Sequence, residues 1–166
     1  MYRKVSDFLT DWGYETESTL KIFKALKNDS LHAKPHADVR SMGFLAWHLT
    51  ITIGEMLGKA GLVIDAPAEH SKAPDDINEI VAAYDKAAKS AAEVIGRKWT
   101  DDQMGDMMHM YGEDWAKGTI LSILIKHQTH HRGQMTVLMR QAGIVVPGVY
   151  GPAKEEWAAW GMPAMD

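Results

Sequence analysis

His127 and His131 stand four residues apart in the run His127-Gln128-Thr129-His130-His131-Arg132-Gly133-Gln134. On a helix that spacing places two imidazoles on one face, one turn apart. Ile120, Leu124 and Leu138 fall on the same face, so the face is expected to point at a core. His48 lies in a second apolar-periodic segment, between Trp47 and Leu49. Alone, His48 reads more readily as a core imidazole bonded to a carbonyl or carboxylate. With the pair, the balance changes. Each unsatisfied buried imidazole costs about 1–3 kcal/mol, and one cation satisfies all three. Three protein ligands with an open position is the pattern of a catalytic rather than a structural metal.

Three further residues flank this set. His130 sits about 60° from His127 around an ideal helix, which suits a rim position better than a fourth ligand. Gln134 shares the stripe of His127 and His131, placed to bond a ligand imidazole or a bound water. Glu55 follows His48 by two turns and is a weaker candidate, with a surface-edge carboxylate the plainer reading. Of the eight histidines, His32, His36 and His70 fall in polar linkers, and His109 lies in a Met-rich connection.

Composition narrows the chemistry. The chain has no cysteine, so disulfides, thiolate ligands and a Cys nucleophile are excluded. Any metal is held by nitrogen or oxygen. The formal charge is −4 and the pI is near 6.0, which argues against nucleic acid held through phosphates. No Lys/Arg run offers a membrane patch, and no apolar stretch is long enough to span a bilayer. The start, Met1-Tyr2-Arg3-Lys4-Val5, lacks the apolar region of a secretory signal, and a cytoplasmic protein is expected. Gln128 stands where a His-Glu-x-x-His zinc protease needs its glutamate. The two Glu-x-x-His units of a di-iron bundle are missing, Asp106-x-x-His109 being the nearest imitation. A Gly-rich phosphate loop and a Gly-x-Ser-x-Gly elbow are also missing.

Four segments with helical periodicity must carry these groups. The first holds Phe8, Trp12, Thr16, Thr19, Phe23 and Leu26 and ends at Asn28-Asp29-Ser30. Ser41 is the expected N-cap of the second, which ends at Gly58 and Gly61. Asp75 and Asp76 open the third, and Gly96 closes it. Residues 98–114 read as an irregular loop or a short strand pair; Met104, Met107, Met108 and Met110 lie there. Asp114 is expected to cap the fourth helix, which stops at Gly143. The tail contains Pro147, Gly148, Gly151 and Pro152, then a short helix near Trp157 and Trp160. At 166 residues this predicts one domain, 1–166, an all-α fold and a four-helix bundle, with linkers long enough for crossover connections.

Three pieces of the chain resemble the DinB-like, YfiT-like superfamily of bacterial four-helix bundles. They are Arg40-Ser41-Met42-Gly43-Phe44-Leu45-Ala46-Trp47-His48-Leu49, the motif His127-x-x-x-His131-Arg132-Gly133-Gln134, and Pro147-Gly148-Val149-Tyr150-Gly151-Pro152 leading into Glu155-Glu156-Trp157. The likeness covers nearly the whole chain in order and spacing. It implies a divalent metal on His48, His127 and His131, a homodimer, and a bundle with a long crossover. Zinc or nickel stands foremost, with iron, manganese or copper behind. Characterised members of the superfamily include low-molecular-weight thiol transferases and a mycothiol-dependent isomerase.

The resemblance and the three-His set together lead to a metal-dependent transferase using a small thiol. There the metal lowers the thiol pKa and the thiolate attacks an electrophile held against apolar walls. The Met and Trp residues of the third connection are one source of such walls, ordinary packing being the plainer reading. A metal-dependent hydrolase is a neighbouring version, weakened by the lack of a dedicated general base. A stress-related metal-binding or interaction protein without turnover, using Trp157 and Trp160 toward a partner, is the alternative from another class.

Overall fold

The computed structural model describes residues 1–164. Met165 and Asp166, the end of the expected 1–166 domain, lie outside the described residues. Four long helices dominate: α1 (Val5–Lys24), α2 (Met42–Lys59), α3 (Ile77–Lys98) and α4 (Lys117–Gln141). Between α3 and α4 run two short strands, β1 (Met107–Met110) and β2 (Glu113–Ala116). The chain is therefore mostly helical, and the small sheet qualifies the all-α expectation. No described helix is long and apolar enough to cross a membrane.

Local chemistry explains the boundaries. Ser41 Oγ accepts from the Phe44 amide at 3.2 Å, so α2 starts at the cap expected of it. Asp76 does the same for α3, accepting from the Asn78 amide at 3.0 Å. At α1 the cap comes from far along the chain: the Val5 amide donates to Asp101 Oδ1 at 2.8 Å. The α3 helix passes the Gly96 stop and ends at Lys98, since one glycine weakens a helix without breaking it. Trp99 follows in extended conformation and is buried.

The expected cap at Asp114 is corrected. Asp114 lies in β2 opposite His109, and its carboxylate is 3.1 Å from His109 Nδ1. The α4 helix begins three residues later, at Lys117, without a side-chain cap. The strands pair antiparallel from Met107 with Ala116 to Met110 with Glu113. Tyr111 and Gly112 close the hairpin with φ of 50° and 89°. Two successive positive φ values suit a two-residue hairpin turn, where Gly is at home and Tyr is unusual. Met104 and Met110 are buried in the core, whereas Met107 is exposed.

Both α1 and α2 pack against α3 and α4. The shared core includes Phe8, Trp12, Phe23, Leu45, Leu49, Ile53, Tyr84, Leu124 and Met139. Inside it lies a polar network centred on Arg132 and Glu15, both nearly inaccessible. Arg132 Nη2 donates to Glu15 Oε2 at 2.6 Å, and its Nη1 donates to Thr19 Oγ1 at 3.1 Å. Tyr150, from the tail, donates its hydroxyl to Glu15 Oε1 at 2.6 Å and accepts from Arg132. The Arg132 guanidinium lies 5.2 Å from the centre of the Tyr150 ring. The tail is thus pinned to α1 and α4 by buried charge. Beyond it, Glu156 accepts from the amides of Gly148 and Ala153, both at 2.9 Å. Gly148 has no room for a Cβ beside that carboxylate. The short tail helix, Lys154–Trp160, is of the tighter 3-10 type.

Removing one member of a buried ion pair strands the other and typically costs about 3–5 kcal/mol, whereas replacing both with apolar groups is often neutral. Arg132→Met is expected to lower unfolding stability by about that amount. In the double variant Glu15→Leu/Arg132→Met, more than half of the loss should return. Urea denaturation of the three proteins measures both effects; equal losses in the single and double variants would contradict the pairing.

Candidate metal centre

Helices α2 and α4 face each other across one side of the core, and each delivers imidazoles to the seam. His48 comes from the second turn of α2, while His127 and His131 come from successive turns of α4. One ring nitrogen from each lies within 4.8 Å of the others. The Nε2 atoms of His48 and His127 are 3.1 Å apart. The ring centres are 4.9 Å apart for His48–His127, 4.6 Å for His48–His131 and 4.5 Å for His127–His131. No Asp or Glu joins this group among the described residues.

The donor chemistry suits a cation. Burial, then the neighbouring His131, then Arg40 push the His48 imidazole from its ordinary 6.5 down to about 4. Burial, then the other histidines and Arg40 bring His127 to about 4 as well. Burial also lowers His131, opposed by its hydrogen bond to Gln134. At neutral pH the rings are therefore uncharged, the form that ligates metals. Protein groups alone leave them unsatisfied. At most one proton can lie between the two Nε2 atoms, and buried His127 Nδ1 has no hydrogen-bond partner among the described residues. With Zn–N bonds of about 2.0–2.1 Å, a tetrahedral ion needs its nitrogens about 3.3 Å apart, close to the 3.1 Å between His48 and His127, with the His131 nitrogen within 4.8 Å of both. The residues thus fit a divalent metal.

The three flanking candidates separate. Gln134 does contact the trio: its Oε1 is 2.8 Å from His131 Nδ1. Nδ1–H donates there, which leaves His131 Nε2 as the free lone pair. The other end of the amide, Nε2, is 3.2 Å from His130 Nε2. His130 is exposed, with its ring 4.8 Å from that of His131, so it occupies the rim. Glu55 turns elsewhere. It accepts the Tyr111 hydroxyl hydrogen bond at 2.7 Å and lies 3.4 Å from Lys59 Nζ. That pairing ties the hairpin to α2 and takes Glu55 away from the imidazoles.

Two groups that sequence reasoning had not assigned support the seam. Gln128, fully buried, accepts from the Tyr84 hydroxyl at 3.1 Å and donates to the Leu49 carbonyl at 3.0 Å. It locks α4 to α3 and to the turn of α2 carrying His48. Phe44 stacks on His48, with centres 5.9 Å apart and planes 16° from parallel. Its signal was the four-residue spacing from His48. Trp47 packs alongside and donates its indole N–H to the Ser71 carbonyl at 2.9 Å. The apolar lining beside His48 therefore comes from Phe44, Trp47 and Ile51 of α2 with Leu31, Ala73 and Pro74, and not from the Met-rich connection.

Comparison with known proteins adds a lineage. The DinB family model matches residues 1–162. The chain is 38% identical over 164 residues to the uncharacterized protein YrdA of Bacillus subtilis strain 168, covering 99% of this chain and 98% of that protein. The crystal structure of a DinB-like protein from Bacillus cereus ATCC 10987 superposes with a TM-score of 0.86 at 37% identity, covering 90% of this chain and all of the other. The DinB-like protein YjoA of Bacillus subtilis gives a TM-score of 0.68 at 16% identity, covering 89% of this chain and 99% of the other; that likeness speaks for the fold.

The lowered imidazoles set a pH dependence with a definite sign. Between pH 6.5 and about 4 the unfolded chain takes up protons at His48 and His127 that the folded chain does not. The folded state binds fewer protons there, so stability is full above pH 6.5 and declines as pH falls towards 4. Metal-free protein is expected to show this decline in urea midpoints, and His127→Leu should flatten it. An unchanged slope in that variant would contradict the assignment.

Proposed function

The chain belongs to the DinB family, and from that premise we propose that it is a divalent-metal-binding protein and a metal-dependent transferase of a low-molecular-weight thiol. The observation that carries the reading is the convergence of three neutral imidazoles from two helices with no carboxylate among them. His48, His127 and His131 would hold the ion. A divalent metal supplies Lewis acidity there, stabilising a coordinating thiol in its anionic form.

The remaining work falls to the protein. Gln134 holds His131 in the tautomer that keeps Nε2 free. Gln128 fixes the separation of α2 and α4. Phe44 and Trp47 would provide an apolar wall for an electrophile beside His48. All-nitrogen donors suit zinc or nickel, then iron or copper; manganese prefers oxygen and ranks last. A hydrolase is less well supported, because Glu55, the carboxylate weighed for that region, is engaged by Tyr111 and Lys59.

The same reading takes the helices as a four-helix bundle whose α1–α2 and α3–α4 connections cross over, and takes the protein as a cytoplasmic homodimer. The non-catalytic alternative retains one specific observation: Trp160 is 68% exposed on the tail, a surface suited to a partner.

Elemental analysis of untagged protein purified without added metal, followed by turnover assays with several thiols and electrophiles, tests the proposal. Wild-type protein is expected to retain metal and conjugate at least one thiol. His131→Ala should lose metal affinity by at least about tenfold, and turnover with it. Turnover that survives loss of the metal refutes the mechanism. Persistent inactivity of metal-loaded protein favours the non-catalytic reading.

A further inference from the structure

Beside the trio, at the start of α2, lies space that the imidazoles do not fill. A cavity of about 690 Å³ runs along α2, walled by Phe44, Trp47, Ile51 and Pro74, with His48 on its lining. Cavities of roughly 300–1,000 Å³ suit small molecules. Because Trp47 has already donated its N–H to Ser71, its ring offers this space only apolar surface.

A second hollow of about 470 Å³ adjoins the first and shares His32, Ser41 and Phe44 with it. Its remaining walls are Lys34, Val39 and Arg40. The lining therefore holds two permanent cations and no carboxylate. Arg40 is exposed and makes no ion pair or hydrogen bond among the described residues. Its guanidinium is positioned instead by the Phe44 ring, 4.9 Å from the ring centre. Phe44 in turn stacks on His48. A guanidinium, a phenyl ring and an imidazole of the trio thus form one continuous stack. Lys34 donates to the Ala37 carbonyl at 3.1 Å, which uses one of its three N–H groups. Among the described residues lining the two hollows, acidic groups belong to the larger cavity. Glu55 there is bonded to Tyr111, Asp75 lies 3.9 Å from His32, and Glu69 is the third carboxylate on that lining. Their charge favours an anion at the Arg40 end.

We propose that Arg40, assisted by Lys34, binds the carboxylate or phosphate of a small organic anion whose apolar body lies along Phe44 and Trp47 and whose far end reaches His48. This deepens the metal–thiol reading and rests on it for one point, which end of the ligand reacts: an anionic compound with an apolar body is one of the two co-substrates. The guanidinium fork matches a planar carboxylate or two phosphate oxygens. The aromatic wall supplies affinity without selecting one compound.

The test uses 4-phenylbutyrate, its neutral amide 4-phenylbutyramide, and phenyl phosphate. Binding is measured by calorimetry on metal-free and zinc-loaded full-length protein, wild type and Arg40→Gln. On metal-free wild type, at least one anion is expected to bind at least tenfold more tightly than the amide. Whichever anion binds more tightly identifies the group recognised. Arg40→Gln should abolish the preference, leave amide binding within twofold, and leave zinc stoichiometry unchanged. Equal binding of anions and amide to wild type overturns the proposal, as does an anion preference that survives Arg40→Gln. The metal reading fails separately: if zinc does not bind but the Arg40-dependent preference is present, the anion site stands alone. If zinc binds and the preference is absent, only the anion site falls.

Discussion

Neutral imidazoles crowded together face a simple difficulty: lone pairs on facing nitrogens repel, and a buried ring nitrogen without a partner is penalised. His48 and His127 meet at 3.1 Å, while His127 Nδ1 has no hydrogen-bond partner among the described residues. Much of α4 is built around that tension. Along its middle turns the helix turns polar residues inward: Gln128 reaches α2 and α3, His131 reaches the seam, and Arg132 reaches α1. Each has its own partner. Fixed partners hold the backbones in register, and the register brings three rings from two helices to one point.

The division of labour between Arg132 and His131 shows how neighbouring residues serve different ends. They are adjacent in sequence, so their side chains diverge by about 100° around the helix. One points at Glu15 on α1, the other at His48 on α2. The buried ion pair adds little net stability over an apolar pair, but it fixes which way α4 is rotated. Tyr150 closes over the same pair and joins the tail to it. The family likeness in the His-Arg motif and in the Pro-Gly-Val-Tyr-Gly-Pro tail therefore reflects one connected unit, since Arg132 and Tyr150 touch.

The helices were legible because apolar residues at steps of three and four leave a strong imprint, and Ser41 and Asp76 are caps that act locally. The His48–His127–His131 grouping was also legible, because spacing on one helix and burial on another are both pattern properties. What escaped depends on chain folding back on itself. Asp101 caps α1 from nearly a hundred residues away. Asp114 resembles a helix cap but is held by the hairpin opposite His109. Glu55 shares a helix face with His48, yet a tyrosine at the tip of that hairpin takes it. Gln128 occupied a motif position where its lack of basicity was clear, while its bonds to Tyr84 and Leu49 were not. In each case local sequence gives the residue's capacity, and the tertiary neighbour decides its use.

The segment facing Phe44 and Trp47 is irregular chain, joined to α2 by the Trp47 indole N–H on the Ser71 carbonyl. Insertions or deletions in that stretch would enlarge or shrink the compartment while leaving all three imidazoles where they are. The volume beside His48 is thus set by a loop, and the position of the three imidazoles by helices, so the two can change independently.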